Sequence, residues 1–185
     1  MTSPQPFEPK SLRSQIGKAI CDVKELKKQP GDLASLRRIQ PDTPDSPAFW
    51  KLASSTFAQG ELTPWADEAL RRWAAFLQAL AHIPELMLTE PTARPRFGAG
   101  LALAGLSEAR LLRLFRAQET LFNEVHAAVH QVAQHGTALN PFDLGLLLLE
   151  TRTDKAEEAR RRIAHDYYRQ LHRNQSELSN PSKES

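Results

Sequence analysis

Apolar residues return at three- and four-residue intervals along most of the chain, the spacing that lines one face of an α-helix. Leu12, Ile16, Ala19, Ile20, Val23 and Leu26 form the first such stripe, and Pro30-Gly31 stops it. Asp32 is expected to cap a short second helix, "LASLRRI", its carboxylate accepting the free backbone N–H groups of the first turn. Pro41, Pro44 and Pro47 then force a turn-rich link into "AFWKLASS". Thr63 followed by Pro64 reads as a helix start, with proline where its missing N–H matters least. That helix carries Trp65, Leu70, Trp73, Phe76, Leu77 and Leu80 and ends before Pro84, where the proline- and arginine-rich loop "TEPTARPR" follows.

A further helical region opens at Ser107 and ends at Gly136, with one break inside it. At 100° per residue, Leu111, Leu114, Phe115, Phe122, Val125, Val129 and Val132 fall in one arc that should face the core. Asn140-Pro141 starts another short helix, and Asp154 with Glu157 makes a capping-box-like opening for a last helix through Arg173. Its inner side is Ile163, Ala164, Tyr167 and Leu171. Strand alternation and internal repeats are absent from the pattern. The expected class is all-α, a helical bundle without a sheet, as one body or as two packed helical lobes. Residues 1–9, with three prolines, read as a flexible arm, residues 10–174 as the helical domain, and the polar stretch 175–185 as a disordered tail.

Composition narrows the function more than the fold. A chain of 185 residues, 41% hydrophobic, can bury a substantial core. The single Cys21 cannot form an internal disulfide, which suits a reducing compartment. The N-terminus carries no apolar run resembling a signal peptide, and "LLLLE" is far short of a membrane span. A cytoplasmic protein with no membrane partner is expected.

The net charge of +2 says little, but its placement is informative. "LSEARLLRLFRAQ" sets Arg110, Arg113 and Arg116 three residues apart in a leucine-rich run, with Glu108 and Glu119 the nearest acids. Arg113 and Arg116 point away from the apolar arc, Arg110 lies at its border, and Leu112 is an apolar exception on the polar side. Arg94 and Arg96 precede this run, Arg37 and Arg38 sit beside a turn, and Lys24, Lys27 and Lys28 crowd the end of the first helix. Lysines there also favour the helix dipole. Arg160, Arg161 and Arg162 with Arg169 and Arg173 mark the last helix, partly offset by Glu157, Glu158 and Asp166. A guanidinium presents a planar fork that matches phosphate oxygens two at a time. Several basic clusters on a compact helical body suit a nucleic-acid backbone.

Catalytic patterns fail on inspection. His126 and His130 have the four-residue spacing of metal ligands on a helix, but no HExxH arrangement and no third ligand accompany them. His165-Asp166 matches part of the HD phosphohydrolase pattern, yet no aspartate follows Asp166 to complete it. "FGAGLALAG" lacks the Lys-Ser/Thr of a phosphate-binding loop. Trp50, Trp65 and Trp73 are expected in the core. No enzyme, metal or cofactor is expected.

The order of features carries a resemblance. "DLASLRRIQPDTPDSPAFWKL", then "RFGAGLALAGLSEARLLRLFRA", then "RRIAHDYYR" resembles the small subunit of the type I-E CRISPR surveillance complex Cascade, the CasB family. The most specific block is the small-residue helix followed by Gly105, Ser107, Glu108, Arg110 and the Arg116-Ala117 pair. The resemblance spans about residues 10 to 173. It implies a non-catalytic, all-helical protein packed against a second copy of itself and beside the backbone and large subunits. Its partners would be the guide RNA and the target and displaced DNA strands of the R-loop. Base pairing then supplies sequence recognition, so backbone contacts suffice. Arg110 and Arg116 match the family's pattern, and the candidate nucleic-acid-binding set is Lys27, Lys28, Arg37, Arg38, Arg94, Arg96, Arg110, Arg113, Arg116, Arg161 and Arg162. Two other classes compete. A free-standing DNA-binding regulator would need base-reading side chains on "SEARLLRLFRA", where Leu112 and the scarcity of Asn or Gln stand against it. A protein-only scaffold would turn its arginines to acidic partners instead.

Overall fold

In the computed structural model, which describes residues 11–57, 67–86 and 95–179, the first apolar stripe folds as helix α1 (Leu12–Leu26). Ser11 caps it, its hydroxyl accepting the Ser14 N–H at 3.3 Å. Ile16, Ala19, Ile20, Val23 and Leu26 are buried, and Leu12 packs at the edge of the core. The helices that follow among the described residues are α2 (Pro30–Arg37), α3 (Pro47–Phe57), α4 (Asp67–His82), α5 (Phe97–Leu103), α6 (Glu108–Arg116), α7 (Leu121–His135), α8 (Phe142–Leu149) and α9 (Thr153–Ser179). Pairing outside helices is confined, in the described residues, to isolated bridges such as Leu86 with Leu139 and Arg96 with Asn140. The all-α class expected from the periodicity is the class observed.

Several helix ends differ from the expectation, each for a local reason. α2 starts at Pro30, whose fixed φ suits the first helical position, and Gln29 precedes it as the cap. Asp32 therefore lies within the first turn and pairs with Lys51 of α3 at 3.1 Å instead of capping. Asp154 likewise falls inside the first turn of α9, one residue after Thr153. α9 also runs past Arg173 to Ser179, supported by the Gln170 amide donating to Asn174 at 2.8 Å. The start expected at Thr63-Pro64, and Trp65 with it, lies outside the described residues. The break inside the 107–136 region falls between Arg116 and Leu121, and Gly136 closes α7 at φ 73°. Asn140 steadies the entry to α8 by accepting the Phe142 N–H at 2.9 Å.

Among the described residues, one apolar core joins the two halves of the chain. α4 packs on α1, α2, α7 and α8 through Ala74, Phe76, Leu77 and Leu80. α8 is buried from Asp143 to Leu149, which explains its unbroken leucines: a helix enclosed on all sides has no polar face. Close packing needs small residues at its tightest points. Gly145 admits Ile16 Cγ2 and Phe76 Cζ, which would lie 2.8 and 2.9 Å from an added Cβ.

The tightest contact joins α5 to α9. At Gly98, an added Cβ would run into the backbone carbonyl of Ile163. Beside it Ala159, Ile163 and Tyr167 are buried, and the Tyr167 hydroxyl donates to the Leu106 carbonyl at 2.6 Å. Because the obstruction at Gly98 is backbone, no rotamer change relieves it. Gly98→Ala is expected to lower stability by about 3 kcal/mol, the upper range for overpacking. Gly17→Ala, where nothing lies within 4 Å, should be neutral or stabilising. Urea unfolding midpoints of the two variants provide the check.

Candidate nucleic-acid interface

α6 is presented by three local devices. Gly105, in the left-handed region at φ 71°, reverses the chain after α5, and Tyr167 holds the next carbonyl. The Ser107 hydroxyl then accepts the Arg110 N–H at 3.4 Å, starting the helix. Leu111 and Leu114 point into the core, which leaves Arg110, Leu112, Arg113 and Arg116 exposed. Arg110 donates to Gln131 of α7 at 2.8 Å, and Gln131 donates in turn to the Ala104 carbonyl at 2.8 Å. Arg113 pairs with Glu124 of α7 at 3.2 Å. Arg116 has no side-chain partner among the described residues. An open cleft of about 600 Å³ lies beside Arg110, bordered by His130, Gln131, Gln134 and His135.

The outer side of α9 adds a second basic strip. Arg161, His165, Tyr168, Arg169, His172 and Arg173 are all exposed and recur at helical spacing. Asp166, the acid within this stretch, turns inward with a side chain 17% exposed, while Glu157 and Glu158 before it pair with Arg160 and Arg162 and Glu177 lies exposed beyond it. The Tyr168 hydroxyl donates to Glu108 at 3.2 Å, which joins this strip to the start of α6. Of these residues only Arg161 is a binding candidate by sequence; burial of the opposite face identifies the others.

The remaining candidate cations among the described residues have intramolecular partners. Lys27 donates to the carbonyls of Ile83 and Pro84, and Arg37 donates to the Ala81 carbonyl at 2.8 Å. Together they occupy the C-terminal end of α4, where the helix leaves carbonyls without partners and the dipole favours positive charge. Burial, then the neighbouring Arg37 charge, push the Lys27 ammonium down to about 8. Lys28 pairs with Glu25 at 2.6 Å, and Arg38 turns back to the Ala34 carbonyl at 3.1 Å while staying exposed. Arg162 bonds Asp143 at 3.1 Å and Glu158 at 2.8 Å, and Arg96 lies 3.8 Å from Asp166. Asp143 is buried, and that burial raises its carboxyl above the ordinary range against the pull of Arg162 and Arg96. Arg94 lies outside the described residues.

Two further expectations change. Trp50 is 44% exposed rather than core, resting edge-on against buried Phe49, while Trp73 packs at the core edge against Phe76. His126 and His130 do have a third imidazole beside them: His82, the last residue of α4, with ring centroids 5.3 and 4.6 Å away. Only the packing of α4 on α7 brings His82 there, 44 residues upstream of His126 in the chain. Burial first, then His130 and His126, lower His82 to about 4.

Three comparisons bear on this arrangement. The family model described as CRISPR-associated protein Cse2 matches residues 32–168. Among curated proteins, none matches the sequence. Among solved structures, a chain in a crystal structure of E. coli Cascade bound to a PAM-containing dsDNA target is similar in fold. Its TM-score is 0.58 at 21% identity, over 82% of this chain and 95% of that one.

Two outcomes follow from the geometry. Arg162→Ala leaves Asp143 buried without its guanidinium and should lower stability by about 2–3 kcal/mol, somewhat below the loss from a fully buried pair. Arg161→Ala, on the exposed strip, should leave the urea midpoint unchanged within about 0.5 kcal/mol. His82 sets a pH dependence. The unfolded chain takes up a proton at this ring near its ordinary value of 6.5, whereas the folded protein, with His126, His130 and Arg37 around it, resists until about 4. Stability contributed by the neutral ring is complete above pH 6.5 and lost as pH falls towards 4. His82→Gln should flatten the midpoint-against-pH curve in that window.

Proposed function

The chain belongs to the Cse2 (CasB) family of CRISPR-associated proteins, and from that premise we propose that it works as the non-catalytic small subunit of a type I-E surveillance complex. The observation that carries this reading is the family match over residues 32–168, which includes all of α6 and α9 as far as Tyr168. Its partners are the guide RNA, the target and displaced DNA strands, the backbone and large subunits of Cascade, and a second copy of itself. The reducing compartment suited to its single, exposed Cys21 is the cytoplasm.

The mechanism follows from what the exposed face offers. Arg110, Arg113 and Arg116 on α6, with Arg161, Arg169 and Arg173 on α9, form a cationic surface whose amide Gln131 is already engaged by Arg110 and the Ala104 carbonyl. Arg110 is held at a set angle by Gln131, which reduces the side-chain entropy lost on gripping a phosphate. Arg113 exchanges its Glu124 partner for phosphate, and Arg116 and Arg161 meet phosphate directly. Arg38 can release a solvent-exposed backbone bond to do the same. Lys27, Arg96 and Arg162 are held within the protein and position helices rather than strands, whereas Lys28, in a surface pair with Glu25, and Arg37, bonded to the Ala81 carbonyl, stay exposed.

Sequence is read by the guide, so this subunit needs only to hold sugar-phosphate chains in place. Exchange of a DNA duplex for an RNA–DNA heteroduplex is nearly balanced in energy. A handful of phosphate contacts on the opened strands is then enough to favour the open state.

The test is charge reversal of Arg110 and Arg116 to Glu in the assembled complex, with target binding measured at several salt concentrations. Affinity should fall, and the log–log salt slope should become shallower by about 0.7 for each single-strand phosphate contact removed. Unchanged affinity and slope in a variant that still folds and assembles would exclude these arginines from the interface.

A further inference from the structure

We propose that His82, His126 and His130 bind a divalent transition metal of the imidazole-preferring kind, zinc above all, clipping the C-terminal end of α4 to the middle of α7. His126 and His130 are one helical turn apart with ring centroids 4.8 Å from each other, and His82 approaches them from the second helix. The candidate ligand nitrogens all lie within 4.8 Å of one another. Tetrahedral zinc with Zn–N bonds of about 2.0–2.1 Å needs nitrogens about 3.4 Å apart. Rotation of side chains that reach solvent covers that difference.

The protonation states favour a ligand role. His82 Nε2 faces the Arg37 carbonyl at 3.3 Å, and a carbonyl only accepts, so this nitrogen carries the proton. Nδ1 is then the lone-pair nitrogen, and the ring is oriented by the carbonyl partner that metal-bound histidines characteristically have. Burial holds both His82 and His126 below the usual imidazole range, so neither has to lose a proton to metal near neutral pH. Arg37 is the cation that acts on His82, and its Nε donates to the Ala81 carbonyl. Three imidazoles leave the fourth tetrahedral position for water, the arrangement of an accessible site rather than a closed structural one.

The cluster stands apart from the arginine strip of α9 and does not depend on the nucleic-acid reading. A second imidazole pair would not suffice for this assignment; the third, from another helix, is what makes a metal a cross-link. Bound zinc would fix the α4–α7 contact, and with it the wall of the cleft that His130 shares with Arg110.

The experiment uses the full chain, freed of metal, titrated with zinc by calorimetry and with cobalt followed by its visible absorption. Wild type should take up one equivalent, with a tetrahedral cobalt spectrum. His126→Ala and His130→Ala should each abolish that equivalent while keeping the helical circular dichroism of the wild type. Cys21→Ser, which removes the exposed thiol, should leave it intact. At zinc one hundred times above the dissociation constant, the folded-to-unfolded ratio of wild type should rise about 100-fold. Absence of saturable uptake by wild type, or uptake that survives both His126→Ala and His130→Ala, overturns the proposal. If His82→Ala unfolds the protein, the two α7 variants alone decide it.

Discussion

The backbone contact between Gly98 and Ile163 is the constraint on which the rest of the molecule depends. It lets α5 lie against α9 without an intervening side chain. That approach sets Tyr167 beneath the Leu106 carbonyl, and the tyrosine bond fixes where the chain leaves α5. Gly105 then reverses the chain and Ser107 starts α6, so the arginines of α6 are aimed by a contact one helix upstream. The same burial of Ala159, Ile163 and Tyr167 turns the opposite face of α9 outward. One close approach thus orients both cationic helices, and the Tyr168–Glu108 bond joins them at the surface.

Cations in this protein divide by the acceptors that folding brings within reach. At the end of α4 the unpaired carbonyls draw in Lys27 and Arg37, where desolvation is offset by hydrogen bonds and the helix dipole. At Asp143 the buried carboxylate draws in Arg162. On α6 and α9 the nearest acceptors are exposed, few, or absent, so Arg116 and Arg161 remain open to an outside anion. Surface ion pairs such as Arg113–Glu124 contribute little to stability and exchange readily. The division suits a protein that needs a firm helical frame and an adaptable outer surface.

That surface is chemically plain. It carries guanidinium groups, imidazoles, Tyr168 and Leu112, and its amide Gln131 is already engaged by Arg110 and the Ala104 carbonyl, with Gln134 beside it at the edge of the cleft. Such a face distinguishes a phosphate chain from an uncharged surface but not one sequence from another. In a complex whose guide already performs base recognition, that is sufficient. The histidine cluster lies at a different junction, where α4 meets α7, and its chemistry serves cohesion of the frame rather than strand binding.

Sequence alone determined the helical class, the inward stripes of α1, α4, α6 and α7, a break somewhere between Ser107 and Gly136, and the family that the order of motifs resembles. These are legible because they depend on spacing along one helix, and 3.6-residue periodicity is written in the chain itself. Pro30 and Asp32 show the limit even locally: Pro30, a stop for the first helix by sequence, opens α2, and Asp32, its expected cap, lies inside the first turn. Which arginines face outward was decided only by tertiary structure. Arg161 and Arg162 are neighbours in sequence, yet one is exposed and the other is bound to Asp143 from α8. His82 joined His126 and His130 by the same route, through helix packing across a long stretch of chain. A side chain's partner is set by the acceptor that packing delivers, and no pattern within a single helix encodes what another helix will bring.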